Sequence, residues 1–105
     1  MKFRIKGNSI RLRLTKTDVA NLANQGKIED RVNFVQSALS YALASNAAIP
    51  KMTASFDKNQ VLVEIPESDV KTWPINDIVG FEATMPLPDG NSLYILIEKD
   101  FACLD

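Results

Sequence analysis

The side chains with the clearest chemical potential are five cations at alternating positions near the amino end: Lys2, Arg4, Lys6, Arg11 and Arg13. Successive strand side chains point to opposite faces. Strands over 2–6 and 10–14 would therefore gather all five cations on one side of a hairpin. Such a face suits an anion, including nucleic-acid backbone. The plainer reading is a solvated surface, or one half of a set of salt bridges to acids later in the chain. Single-strand binders usually place stacking aromatics among their cations. Here Phe3 falls on the opposite face and no aromatic interleaves the cluster.

Other chemistry is restricted. The chain has no histidine, which removes the commonest general base and metal ligand. Its single cysteine, Cys103, allows neither a paired-cysteine zinc site nor an internal disulfide. Neither a GxxxxGK[ST] nor a GxGxxG loop is present, so no signature for cradling nucleotide phosphates exists. Carboxylates are plentiful, but no spacing singles out a pair. Cys103 lies near Glu98, Asp100 and Asp105, which disfavour a thiolate. That end reads as a final strand or extended segment packing Phe101 and Leu104 on the core. Trp73, before Pro74, reads as a core plug. No cofactor and no metal site is expected.

The elements that must position the cations follow from periodicity. Phe3 and Ile5 alternate with Lys2, Arg4 and Lys6; Gly7-Asn8-Ser9 supplies turn chemistry; Ile10, Leu12 and Leu14 alternate with Arg11 and Arg13. That pattern is a β-hairpin. Fifty-one residues on, Asn59-Gln60-Val61-Leu62-Val63-Glu64-Ile65 lines up with Asn8-Ser9-Ile10-Arg11-Leu12-Arg13-Leu14. A second hairpin is expected there, with Ala54 and Phe56 inward and a turn at Asp57-Lys58-Asn59. Each hairpin leads into a short helix. Thr15, three residues before Asp18, starts the first in capping-box fashion, and Gly26 ends it. The second runs from Glu67 to Trp73, where Pro74 disfavours continuation.

A further hairpin follows each helix: Ile28 to Phe34 with Leu39 to Leu43, then Ile78 to Met85 with Leu93 to Ile97. The loop Pro86 to Asn91 carries an Asp-Gly turn signal. Residues 35–44 suit a helix by propensity, with Val35, Leu39 and Ala42 at helical spacing. The repeat assigns them to a strand, because their partner, Leu93 to Ile97, is strongly β-prone. The expected fold class is α+β, mostly β. Two pseudo-symmetric ββαββ repeats, about 1–51 and 52–105, form an antiparallel barrel or sandwich with two short helices in a single domain, 1–105. Closure is the expected solution to exposed strand edges.

Lys2-Phe3-Arg4-Ile5-Lys6-Gly7-Asn8-Ser9-Ile10-Arg11-Leu12-Arg13-Leu14 and Ile97-Glu98-Lys99-Asp100-Phe101-Ala102-Cys103-Leu104 resemble the two ends of a family of small bacterial proteins of unknown function. The resemblance spans the whole chain and implies no activity. It implies an acidic, proline-containing tail after the Cys-Leu, where this chain stops at Asp105. Alternating lysines and arginines in an eight-stranded barrel also resemble the triphosphate-tunnel enzymes in pattern. Those carry an ExExK strand at the amino end; Lys2-Phe3-Arg4-Ile5-Lys6 offers no acid to hold a metal ion.

With 105 residues, 46% of them hydrophobic and 24% charged, the composition is that of an ordinary globular protein. Met1 to Lys6 alternates charge with apolar residues, unlike a signal peptide. The uncharged run Val32 to Pro50 is broken by Asn33, Gln36, Ser37, Ser40, Ser45 and Asn46, short of the roughly 20 apolar residues a membrane span needs. One cysteine and no signal point to the cytoplasm. The net charge of -1 hides an asymmetry: residues 1–51 hold nine basic residues against three acids, and residues 52–105 three against ten. Opposed halves can attract within one molecule or between two. The reading is a non-catalytic binding or interaction module with the basic hairpin as its contact face. Its partner would be an anionic ligand, a protein or a second copy, and no membrane. The alternative is a small enzyme with a carboxylate, lysine and arginine site in a cleft between the repeats.

Overall fold

The computed structural model describes residues 1–101. Eight strands and two helices follow one another in the order β1 (Lys2–Lys6), β2 (Ser9–Leu14), α1 (Lys16–Gln25), β3 (Lys27–Asn33), β4 (Ala38–Asn46), β5 (Thr53–Asp57), β6 (Gln60–Pro66), α2 (Glu67–Val70), β7 (Gly80–Pro86) and β8 (Ser92–Lys99). The fold is α+β and mostly strand. Residues 38–46 are extended, so β-propensity of the segment's neighbours outweighs its local helical preference.

The strands form two four-stranded sheets, ordered β1-β2-β8-β7 and β3-β4-β6-β5. The expected closed barrel is absent: β1, β7, β3 and β5 are free edges. All four hairpins are antiparallel, but the junctions between them are parallel. β2 runs alongside β8 with Ile10 opposite Ile95 and Leu12 opposite Ile97. β4 runs alongside β6 with Leu43 opposite Val63. Parallel neighbours cannot be joined by a tight turn, so each sheet takes one hairpin from each half of the chain.

One apolar cluster draws on both sheets. Leu12, Leu14, Ile95 and Ile97 come from the first, and Leu43, Val63 and Ile65 from the second. Ile10 and Met52, with Val19 and Leu22 of α1, Val70 of α2 and Trp73, complete it. The Phe3 and Tyr41 rings stack across the sheets at 5.0 Å. Ile5 and Phe56 follow the expected inward alternation yet stay 64% and 66% exposed. Both stand next to their hairpin turns, at the end of the strands remote from the helices.

α1 starts as read from the sequence. Thr15 accepts from the Asp18 amide and Asp18 accepts from the Thr15 amide, the reciprocal capping box. Gly26 stops the helix at φ 80° and donates to the Leu22 carbonyl. The Met1 ammonium lies 2.9 Å from Asp18 and 3.6 Å from Asp30. Burial pushes the Asp18 carboxyl up, but hydrogen bonds from that ammonium and from Thr15 outweigh it, and its pKa falls below the ordinary value.

α2 is shorter than expected. It ends at Val70, and Trp73–Ile75 form a separate 3₁₀ turn with Pro74 inside it. Proline's fixed φ fits the start of a helical turn but lacks an amide to extend α2. Trp73 is fully buried and its indole N–H donates to the Ile78 carbonyl at 2.7 Å. Ile78 and Val79 precede β7 and remain exposed, since that bond holds their segment as a loop. The second hairpin turns on Lys58 and Asn59, both at positive φ, the conformation of a type I′ turn. Phe101 lies in a turn rather than a strand, its ring 5.5 Å from Lys16 Nζ and 5.4 Å from Lys99 Nζ. The expectations for Cys103 and Leu104 lie outside the described residues. Among the described residues no helix is long and apolar enough to cross a membrane.

Candidate anion-binding face

The five cations share one face because of hairpin register. Lys2 lies opposite Arg13, Arg4 opposite Arg11, and Lys6 opposite Ser9. Inward neighbours Ile10, Leu12 and Leu14 are buried, which fixes the alternation and turns the charges outward.

The structure divides the five into two groups. Three meet acids from the far end of the chain. Arg11 Nε donates to Glu98 Oε1 at 2.8 Å, and its terminal nitrogen also contacts that oxygen. Arg13 Nε lies 3.0 Å from the same oxygen but makes no hydrogen bond to it; the attraction is Coulombic. Arg13 also sits 3.8 Å from Asp100, and Lys2 Nζ 3.3 Å from Asp100. Parallel pairing makes this possible, because it sets Arg13 beside Glu98 on the adjoining strand. Arg4 and Lys6 form no ion pair with any described residue.

Arg4, Lys6, Ser9 and Arg11 line a shallow cavity of about 250 Å³, closed on the other side by Tyr94 and Leu96 of β8. Sequence reasoning missed both residues. Alternation in 93–97 places Tyr94 and Leu96 on one side of their strand, but nothing local says that this strand lies beside β2. An aromatic ring therefore does border the basic cluster. The Tyr94 hydroxyl donates to the Glu82 carboxylate. That hydrogen bond, with desolvation adding to it, raises the phenol pKa above its ordinary value. The face thus grades from cationic on β1 to acidic on β7.

Chemically, the cavity offers two cations without ion-pair partners among the described residues, a third held in place by Glu98, and the Tyr94 side chain; the Ser9 hydroxyl donates to the Lys6 carbonyl at 2.6 Å. This arrangement can hold an anionic group by charge and hydrogen bonds. Among the described residues no group of three acidic or cysteine side chains could hold a metal ion.

These features define a two-sheet α+β protein with a polarised outer sheet face. The chain belongs to the Family of unknown function (DUF7009), whose model matches residues 1–105. No curated protein and no solved structure matches it.

Proposed function

We propose that this protein is a non-catalytic binding module whose basic hairpin face holds an anionic ligand or partner. The observation that carries the reading is the pair Arg4 and Lys6, which face outward beside Arg11 without an ion-pair partner among the described residues. Lys2, Arg11 and Arg13 serve differently: their pairing with Glu98 and Asp100 fixes the face and lowers its net charge. The binding contribution therefore shifts from the whole cluster to Arg4, Lys6 and Arg11.

The test is titration with inorganic polyphosphate at increasing salt. Binding should weaken as salt rises, because counterions are released on contact. Replacing Arg4 and Lys6 together with alanine should lower affinity about tenfold and shrink the salt slope by roughly one and a half, with thermal stability unchanged. Equal binding by the double variant removes the basic face from the account.

The same reading treats the chain as a single bacterial, cytoplasmic domain built as a sandwich from two copies of one plan. Its strand registers support the duplication. Phe3 pairs with Leu12, and 51 residues on Ala54 pairs with Val63. Ile10 pairs with Ile95; shifts of 51 and 54 residues turn this into Val61 with Tyr41, the pair found in the other sheet.

A further inference from the structure

The four free sheet edges are unequal. β1 carries Lys2, Arg4 and Lys6, and β3 carries Lys27, Glu29, Asp30 and Arg31. Charges on an edge strand discourage another chain from pairing with it. β7, Gly-Phe-Glu-Ala-Thr-Met-Pro, has one charge in seven residues. It also forms the full length of one wall of a cleft of about 740 Å³, whose apolar lining includes Met52, Ile65, Phe81 and Met85.

The backbone of β7 is open along this cleft. Lys99 donates its amide to the Val79 carbonyl at 2.8 Å, so Val79 and Lys99 form a hydrogen-bonded pair. In an antiparallel ladder such pairs alternate. With Phe81 opposite Ile97 and Ala83 opposite Ile95, Phe81, Ala83 and Met85 direct their amides to β8. Gly80, Glu82 and Thr84 direct theirs outward, and none has a backbone partner among the described residues. An extended chain can take up the whole row at once, by adding as a strand. The charged groups lining the cleft are Lys51, Asp69 and Glu82, an excess of acid in the half of the sequence that is acidic overall.

We propose that β7 accepts an extended segment of a partner protein with alternating apolar and basic side chains. Its backbone pairs with Gly80, Glu82 and Thr84; its apolar side chains lie on Phe81 and Met85; its cations face Asp69 and Glu82. This inference is independent of anion binding at the hairpin.

The test uses an end-capped synthetic peptide of alternating lysine and valine, seven residues long to match β7. Binding is measured by calorimetry, and amide exchange of the protein by NMR. The peptide should slow exchange at Glu82 and Thr84 about tenfold and bind about tenfold more tightly than an alternating glutamate–valine peptide. N-methylation of its edge-facing amides should abolish binding. Thr84→Pro removes one outward amide without touching the ladder to β8 and should also abolish it; should that variant not fold, the methylated peptide asks the same question. Unchanged exchange at Glu82 and Thr84, or equal binding of the methylated peptide, overturns the proposal. So does light scattering that shows a dimer in which these amides are already protected, since a second copy would then be the occupant.

Discussion

Replacing Glu98 with alanine should move stability and anion affinity in opposite directions. Glu98 is the common acceptor for Arg11 and Arg13, its side chain 15% exposed against 34% and 33% for the two arginines. Breaking a fully buried ion pair costs about 3–5 kcal/mol, while an exposed pair is worth roughly 0.2–1 kcal/mol. With the arginines one-third exposed, solvent screening reduces the buried figure. A loss of about 1–3 kcal/mol follows, read as a lower urea midpoint at unchanged m-value. The same change frees Arg11 on the binding face and leaves Arg13 with its contact to Asp100. Polyphosphate affinity should rise several-fold at low salt, with a steeper salt slope by roughly one. Glu98→Gln keeps the shape and an acceptor but removes the charge, and should show the affinity gain with a smaller stability loss. Refutation would be Glu98→Ala binding polyphosphate no more tightly than wild type while still losing stability. The paired arginines would then be structural alone.

The other predictions concern the scaffold. Trp73→Phe removes the indole donor to the Ile78 carbonyl and leaves space in the core; a loss of about 2–4 kcal/mol is expected in denaturant titration. Gly80→Ala would drive a Cβ into the Ile97 carbonyl oxygen and to 3.0 Å from Glu98 Cα, both backbone, so β7 must shift; about 1–3 kcal/mol should be lost, with exchange accelerated first at the β7–β8 pairing. The Asp18 carboxyl has a lowered pKa in the folded state. Its stabilisation is complete above the unfolded value near 3.9 and is lost as pH falls through the folded value. Asp18→Asn should cost roughly 1 kcal/mol at neutral pH, a gap that narrows as pH drops below about 4; a gap that widens on acidification contradicts the assignment.

What the sequence revealed was set by local patterning. Alternation at 2–6 and 10–14, the Gly7-Asn8 turn and the Thr15–Asp18 cap each depend on neighbours in the chain, and each was legible. The strand at Ala38–Asn46 was legible only through its likeness to 93–97, because its own composition favours a helix. The parallel junction of β2 with β8 was not legible. It joins residues about 85 positions apart, and neither strand's pattern names its neighbour. That single fact hid the Glu98 contacts with Arg11 and Arg13 and the place of Tyr94 beside Ser9. The expected barrel failed for a related reason. Closure is one way to manage a sheet edge; β1 and β3 instead carry several charges, and β5 and β7 stay open with one charge each.

The central claim is that Arg4, Lys6 and Arg11 hold an anion on the outer face of β1 and β2. A residue-resolved NMR titration with inorganic polyphosphate tests it most directly. The account predicts shifts concentrated at Arg4, Lys6, Ser9, Arg11 and Tyr94, fading as salt is added, with β3 and β5 undisturbed. Saturable binding with the largest shifts on β3 or β5, or no shifts at low salt, would contradict it.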